Sequence, residues 1–213
     1  MTKLHLNKLI ERGYDFDIQT VLVEGWSLFK QQPLFAVGYT GFVISLELLF
    51  LLYLKEYALL FSVFLAGPLF SGFYLVANKL KAGEHIAYTD FFQGFTYYIP
   101  IILIWLIGQI LVSLGLVLFV VPGVYLMVGY SLSILLHIFA GLDFWESLEY
   151  SRKIVTKNWW KFFLLVLSLI LINIIGALVF VGVFVTIPVS FFTAYCAFEA
   201  VTGDVLVEEV EEV

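Results

Sequence analysis

The chain has 213 residues, of which 62% are hydrophobic and only 13% charged, with a mean hydropathy of +1.01 and a net charge of −6. Soluble domains carry about 45–50% apolar and about 25% charged residues. A water-exposed fold of this length could not hide so much apolar surface, so lipid must be its solvent over much of the chain. The single cysteine, Cys196, excludes an internal disulfide.

Residues 1–33 carry Lys3, Lys8, Arg12 and Lys30 and no unbroken apolar run. They are expected to form a cytoplasmic segment rather than a cleavable signal peptide. Within them "IQTVLVEGWSLFKQQP" places Ile18, Leu22, Trp26 and Phe29 on one helical face. Residues 34–203 are expected to form the membrane domain. A spanning helix needs about 20 apolar residues, and six such runs follow. The first runs from Leu34 to Leu54, the second from Ala58 to Asn78 and the third from Ile99 to Leu118. The fourth enters through "VVPGVY" and ends near Ala140, the fifth runs from Trp160 to Val179, and the sixth from Val183 to Val201. The runs are continuous rather than alternating, which excludes a barrel and predicts helices. Residues 204–213 form an acidic tail, with four of the chain's 17 acids in "VEEVEEV". That pattern fits a solvated end and gives no footing for nucleic acid.

Charge orients the spans. Lys3, Lys8, Arg12, Lys30, Lys79, Lys81, Arg152, Lys153, Lys157 and Lys161 fall on one side, and only Lys55 on the other. The positive-inside rule places the ten in the cytoplasm. A cytoplasmic (inner) membrane location follows, multi-pass, with both termini cytoplasmic.

The most charged internal stretch is "DFWESLEYSRKIVTKNWWKFF", Asp143 to Phe163. Phe144, Trp145, Leu148, Val155 and Trp159 line one side of a helix, with the charges opposite. This predicts an amphipathic helix on the cytoplasmic bilayer surface, with Trp159 and Trp160 at headgroup level. A sharper reading makes Trp145, Arg152, Lys153, Lys157, Trp159, Trp160 and Lys161 a binding surface for anionic lipid or a partner protein. "DFFQGFTYYIP" from Asp90 has a related pattern. Each such segment precedes a pair of spans, and Pro68, Pro122 and Pro188 each lie near the start of a second span. The predicted fold is therefore all-α, a polytopic membrane bundle of six helices. It is built as three degenerate hairpin repeats, each preceded by an amphipathic cytoplasmic surface helix. The repeats share one orientation, so an axis along the membrane normal would relate them.

The elements "GPLFSGFY…GE…DFFQGF", "VVPGVYLMVGYS", "DFWESLEYSRKIVTKNWWKFF" and "LINIIGAL…VGVFVTIPVS" resemble a widespread prokaryotic family of uncharacterised six-helix membrane proteins. That family is similar in pattern to the membrane domain found beside glycerophosphodiester phosphodiesterases. The resemblance covers about Trp26 to Gly203. It implies the fold and no activity, since the catalytic domain of that neighbour has no counterpart here.

Chemistry is sparse. His5, His85 and His137 are not spaced with Cys, Asp or Glu as metal ligands, and no nucleophile elbow, phosphate loop or zinc-protease motif occurs. No metal and no cofactor is expected. Asp90 and Asp143 suit helix caps. Three polar residues inside spans stand out: Glu47 in "ISLELLF", Gln109 in "IGQIL" and Asn173 in "ILINIIG". Each lies on the first helix of a hairpin. They are expected either to stitch the helices together by hydrogen bonds or to line a small polar cavity. The function expected is that of a non-catalytic integral membrane protein that binds membrane lipids or other membrane proteins. The alternatives are a small-solute or ion transporter centred on Glu47, Gln109 and Asn173, and a lipid-modifying membrane enzyme.

Overall fold

A computed structural model describes residues 3–211, with side chains described for 3–203. The acidic tail expected at 204–213 lies outside the described side chains. Among the described residues the chain forms helices and no strand. They are α1 (Lys3–Arg12), α2 (Ile18–Gln31), α3 (Pro33–Leu52), α4 (Lys55–Lys81), α5 (Tyr88–Leu118), α6 (Val120–Ala140), α7 (Phe144–Lys157), α8 (Trp159–Leu178) and α9 (Val183–Glu211). Six of them, α3, α4, α5, α6, α8 and α9, are long and apolar enough to cross a membrane.

The helix bounds follow local chemistry. Pro33 opens α3, where a missing N–H costs nothing. Pro122 lies in the first turn of α6 for the same reason. Pro68 lies inside α4, and the turns before it, Phe61–Ala66, widen to π geometry. A proline ring clashes with the carbonyl four residues back, and a wider turn relieves that clash. Gly141, at φ 67°, ends α6 in the left-handed conformation that glycine adopts without strain.

The third span differs most from expectation. "DFFQGF" lies in a 3-10 helix that leads into the third span, not in an α-helix. Its residues belong to the first ten of α5, Tyr88–Tyr97, which wind in 3-10 geometry and continue directly into Tyr98–Leu118. The reason is close packing on α4. A Cβ on Gly72 would lie 1.8 Å from the Phe91 carbonyl oxygen, and one on Gly94 would lie 2.1 Å from that of Pro68. Two glycines thus let two backbones touch. Tyr39 of α3 closes this corner: its ring stacks on Phe91 at 4.7 Å and its hydroxyl donates to the Leu69 carbonyl at 2.9 Å.

The hairpins are unequal in burial. In α4, α6 and α9 the buried shares are 56%, 44% and 44%, against 22%, 22% and 17% in α3, α5 and α8. The second helix of each hairpin therefore forms the core, and the first lines the outside. Around that core, α2 packs along α9, the start of α5 along α4, and α7 along α6. The α2–α9 contact is made at Gly25, where a Cβ would lie 2.2 Å from Thr193 Oγ1.

The inward face of α7 is Ser147, Leu148, Ser151, Ile154 and Val155. Trp145, expected on the apolar stripe, is 55% exposed. Leu148 and Val155 of the stripe thus turn toward the protein, with Ser147 and Ser151 beside them, while Trp145 stays free of the core. Asp143 caps α7, accepting from the Glu146 N–H at 2.8 Å. Asp90 is not itself the first cap of α5. It reaches back to the Ala87 N–H at 2.8 Å and holds Lys79 at 2.9 Å.

Candidate functional site

The fourth span is broken in the middle. Helix α6 is regular over Val120–Gly129 and again over Ser133–Ala140, with turns at Tyr130–Leu132 between. In the break the Ser133 N–H turns to the Tyr130 carbonyl at 3.1 Å, which leaves the Gly129 carbonyl without its helical donor. Ser151 of α7 donates to that carbonyl at 2.7 Å and accepts from the Leu132 N–H at 3.1 Å. Backbone irregularity inside a membrane domain is tolerated only where protein or a cavity meets it, and here both do. On its other side the break faces a cavity.

The cavity has a volume of about 510 Å³. Helices α5, α6, α8, α9 and α4 surround it in order, each touching the next, and α4 touches α5 again. Leu148 of α7 also lines it, against Gly108. Its apolar wall includes Ile104, Val166, Leu169 and Phe191. The residues with polar side chains around it are Tyr74, Trp105, Gln109, Ser113, Tyr130, Ser131, Ser133 and Ser190. No Asp, Glu, Lys, Arg, His or Cys lines it. Gln109, Ser113, Leu116 and Met127 are exposed, so the cavity is open on that side.

The three intramembrane residues expected to act together are placed apart. Gln109 sits on the open side of the cavity and makes no hydrogen bond among the described residues. Asn173 Nδ2 donates to Ser190 Oγ at 2.6 Å and to the Leu169 carbonyl at 2.8 Å, tying α8 to α9. Ser190 reaches the cavity, so Asn173 touches it at one remove. Glu47 is partly buried on α3, outside this lining, and makes no hydrogen bond among the described residues. The helices explain the separation: α3 packs on α9 and only on the 3-10 start of α5, α5 on α4 and α6, and α8 on α9, so no interface joins all three first helices.

The basic surface at α7 and α8 is largely paired within the protein. Arg152 donates to Glu149 through Nε at 3.1 Å and Nη2 at 2.8 Å, and Lys153 lies 3.4 Å from the same carboxylate. The hydrogen bond from Arg152 holds the Glu149 carboxyl below the usual carboxylate range. Lys161 pairs with Asp15, whose carboxyl it lowers in the same way, and donates to the Phe16 carbonyl at 3.1 Å. Tyr14 donates to the Ile154 carbonyl at 2.7 Å, and Asn158 donates to the Tyr14 carbonyl. These bonds strap the segment before α2 across the joint between α7 and α8. Trp159 is stacked on Phe163 at 5.1 Å, while Trp145, Trp160 and Lys157 remain exposed.

Sequence reasoning missed Tyr74, Tyr130, Ser131, Ser133, Ser151 and Ser190. The signal for three of them was "GYSLS" at 129–133, a polar island in the fourth span. Among the described residues, no group of three or more His, Cys, Asp and Glu side chains could hold a metal ion.

No protein-family model matches the chain, and no curated protein or solved structure matches it. The family resemblance noted in the sequence therefore rests on its motifs alone.

Proposed function

We propose that this is a non-catalytic integral membrane protein that binds lipid within its helical bundle, with other membrane proteins as further partners. The observation that carries the reading is the 510 Å³ cavity, open on one side and lined by apolar side chains and neutral polar groups. Its volume falls in the range of small-molecule sites, about 300–1,000 Å³. Its serines have no His, Asp, Glu or Lys beside them in the lining to act as a base, so the wall suits binding rather than hydrolysis. A solute path through Glu47, Gln109 and Asn173 would need all three on one cavity, and Glu47 lies off it.

The same proposal includes the architecture. Three hairpins, α3–α4, α5–α6 and α8–α9, are degenerate repeats, led by the amphipathic α2, the 3-10 run Tyr88–Tyr97 that opens α5, and α7. The packing order supports this. The segment before the second hairpin lies on α4, that before the third lies on α6, and α2, before the first, lies on α9. Each segment thus clasps the second helix of another hairpin, and the order closes in a ring. We place the protein in the inner membrane with both termini in the cytoplasm. The ten-to-one charge split and the packing of α1 on both α7 and α9 support one shared side for the two ends.

Native mass spectrometry after gentle detergent extraction tests the reading. Retained lipid is expected, and its removal should lower thermal stability. Protein that retains neither lipid nor a partner protein, and is equally stable after delipidation, would refute it.

A further inference from the structure

The cavity's chemistry narrows its ligand, on the reading that it binds lipid at all. Ser131 Oγ is buried and makes no hydrogen bond. That oxygen is sealed from the cavity; Tyr74, Gln109, Ser113 and Tyr130, whose polar groups have no hydrogen-bond partner among the described residues, line the same space. Polar groups within a bilayer normally find partners, so the unpartnered Tyr74 and Tyr130 hydroxyls beside the lipid-side Gln109 and Ser113 point to an occupant with oxygens. That occupant must be neutral. No cationic side chain lines the cavity to balance a phosphate, and no anionic one to balance an amine, and an uncompensated charge in such a site is strongly disfavoured. The apolar groups, Ile104, Val166, Leu169 and Phe191, ask for hydrocarbon. The open side lies along residues 109–116 of α5, in a helix otherwise bordered by exposed Ile110 and Leu114, so a lipid can enter sideways.

We propose that the cavity seats a neutral lipid whose head carries hydroxyl or ester oxygens and no charge. A diacylglycerol and a polyprenol share that chemistry. Hydroxyls and the Gln109 amide both donate and accept, so either head can be satisfied.

The test uses the full chain in phosphatidylcholine nanodiscs with a photoactivatable, alkyne-bearing diacylglycerol, and the matching phosphatidylglycerol as its charged counterpart. Diacylglycerol should crosslink to peptides covering residues 104–116 and 127–134. Labelling should fall at least fivefold in Gln109→Leu, which alters an exposed residue with no hydrogen bond to lose, and in Leu169→Trp, which fills the space. Both variants are compared at unchanged thermal unfolding temperature. Competition by unlabelled diacylglycerol or by unlabelled polyprenol assigns the source, and either result supports a neutral head. Equal labelling of these peptides by the phosphatidylglycerol probe, or labelling indifferent to both variants, overturns the proposal. Lipid retention in native mass spectrometry would still stand in that case, so the failure of the ligand class is distinguishable from the failure of lipid binding.

Discussion

Ser151 of α7 supplies the hydrogen bond that Gly129 of α6 lacks. Its hydroxyl donates to the Gly129 carbonyl at 2.7 Å while accepting from Leu132 N–H at 3.1 Å. One side chain thus replaces two missing helical partners and holds the break that faces the cavity. Ser151→Ala leaves a buried N–H and a buried C=O unpaired, each costing about 1–3 kcal/mol. A loss of roughly 2–4 kcal/mol is expected, read as a drop of several degrees in thermal unfolding in detergent. Ser168→Ala, which removes only a bond to the Leu164 carbonyl on its own helix, should stay within about 0.5 kcal/mol of the wild type.

Gly25→Ala tests the clasp between α2 and α9. The added methyl would meet Thr193 Oγ1 at 2.2 Å and the Thr193 backbone at 2.7 Å. Backbone cannot swing aside as a side-chain tip can, so overpacking of about 1–3 kcal/mol is expected. Unfolding at the wild-type temperature would show that the two helices are not held this closely.

Glu47→Leu separates a stitch from a spectator. Glu47 makes no hydrogen bond among the described residues, so no buried partner is orphaned by its removal. A central acid in a spanning helix costs about 2.5–3.5 kcal/mol on insertion scales. The variant should therefore match or exceed wild-type stability and express at least as well. A clear loss would place Glu47 in an interaction that this arrangement lacks.

The pH response follows from Glu149. Its carboxyl is held below its ordinary value, chiefly by the hydrogen bond from Arg152. Its contribution is therefore fully present above the ordinary carboxylate pKa, about 4.3, and is lost as pH falls through the lower folded value. The pair is about one-third exposed, so it contributes less than about 1 kcal/mol. Wild type should lose this increment as pH falls below about 4.3 and through the lower folded value, and Glu149→Gln should lack that step in unfolding titrations.

Topology is open to cysteine labelling in a Cys196→Ala background. A membrane-impermeant thiol reagent should reach Lys55→Cys on intact cells and should reach Glu84→Cys and Lys157→Cys only after permeabilisation. External labelling of Lys157→Cys would reverse the assigned orientation.

The sequence by itself determined the six long helices. Their number follows from apolar length against bilayer thickness and from the demand that a backbone in lipid bond to itself. Both are local properties, so bounds such as Pro33 and Leu118 were legible to within a few residues of the spans read from the sequence. What the tertiary structure decided was which faces meet. On α7 the apolar stripe was legible in Leu148 and Val155, but that Ser147 and Ser151 share its inward face, with Ser151 bonded into the break of α6, was not. The polar residues conspicuous in the sequence, Glu47, Gln109 and Asn173, were grouped because each lies on the first helix of a hairpin, yet it is the second helices that form the core. The cavity draws Tyr74, Gln109, Ser131 and Ser190 from four different helices. Such a meeting depends on crossing and packing between distant segments, which no hydropathy pattern along one segment encodes.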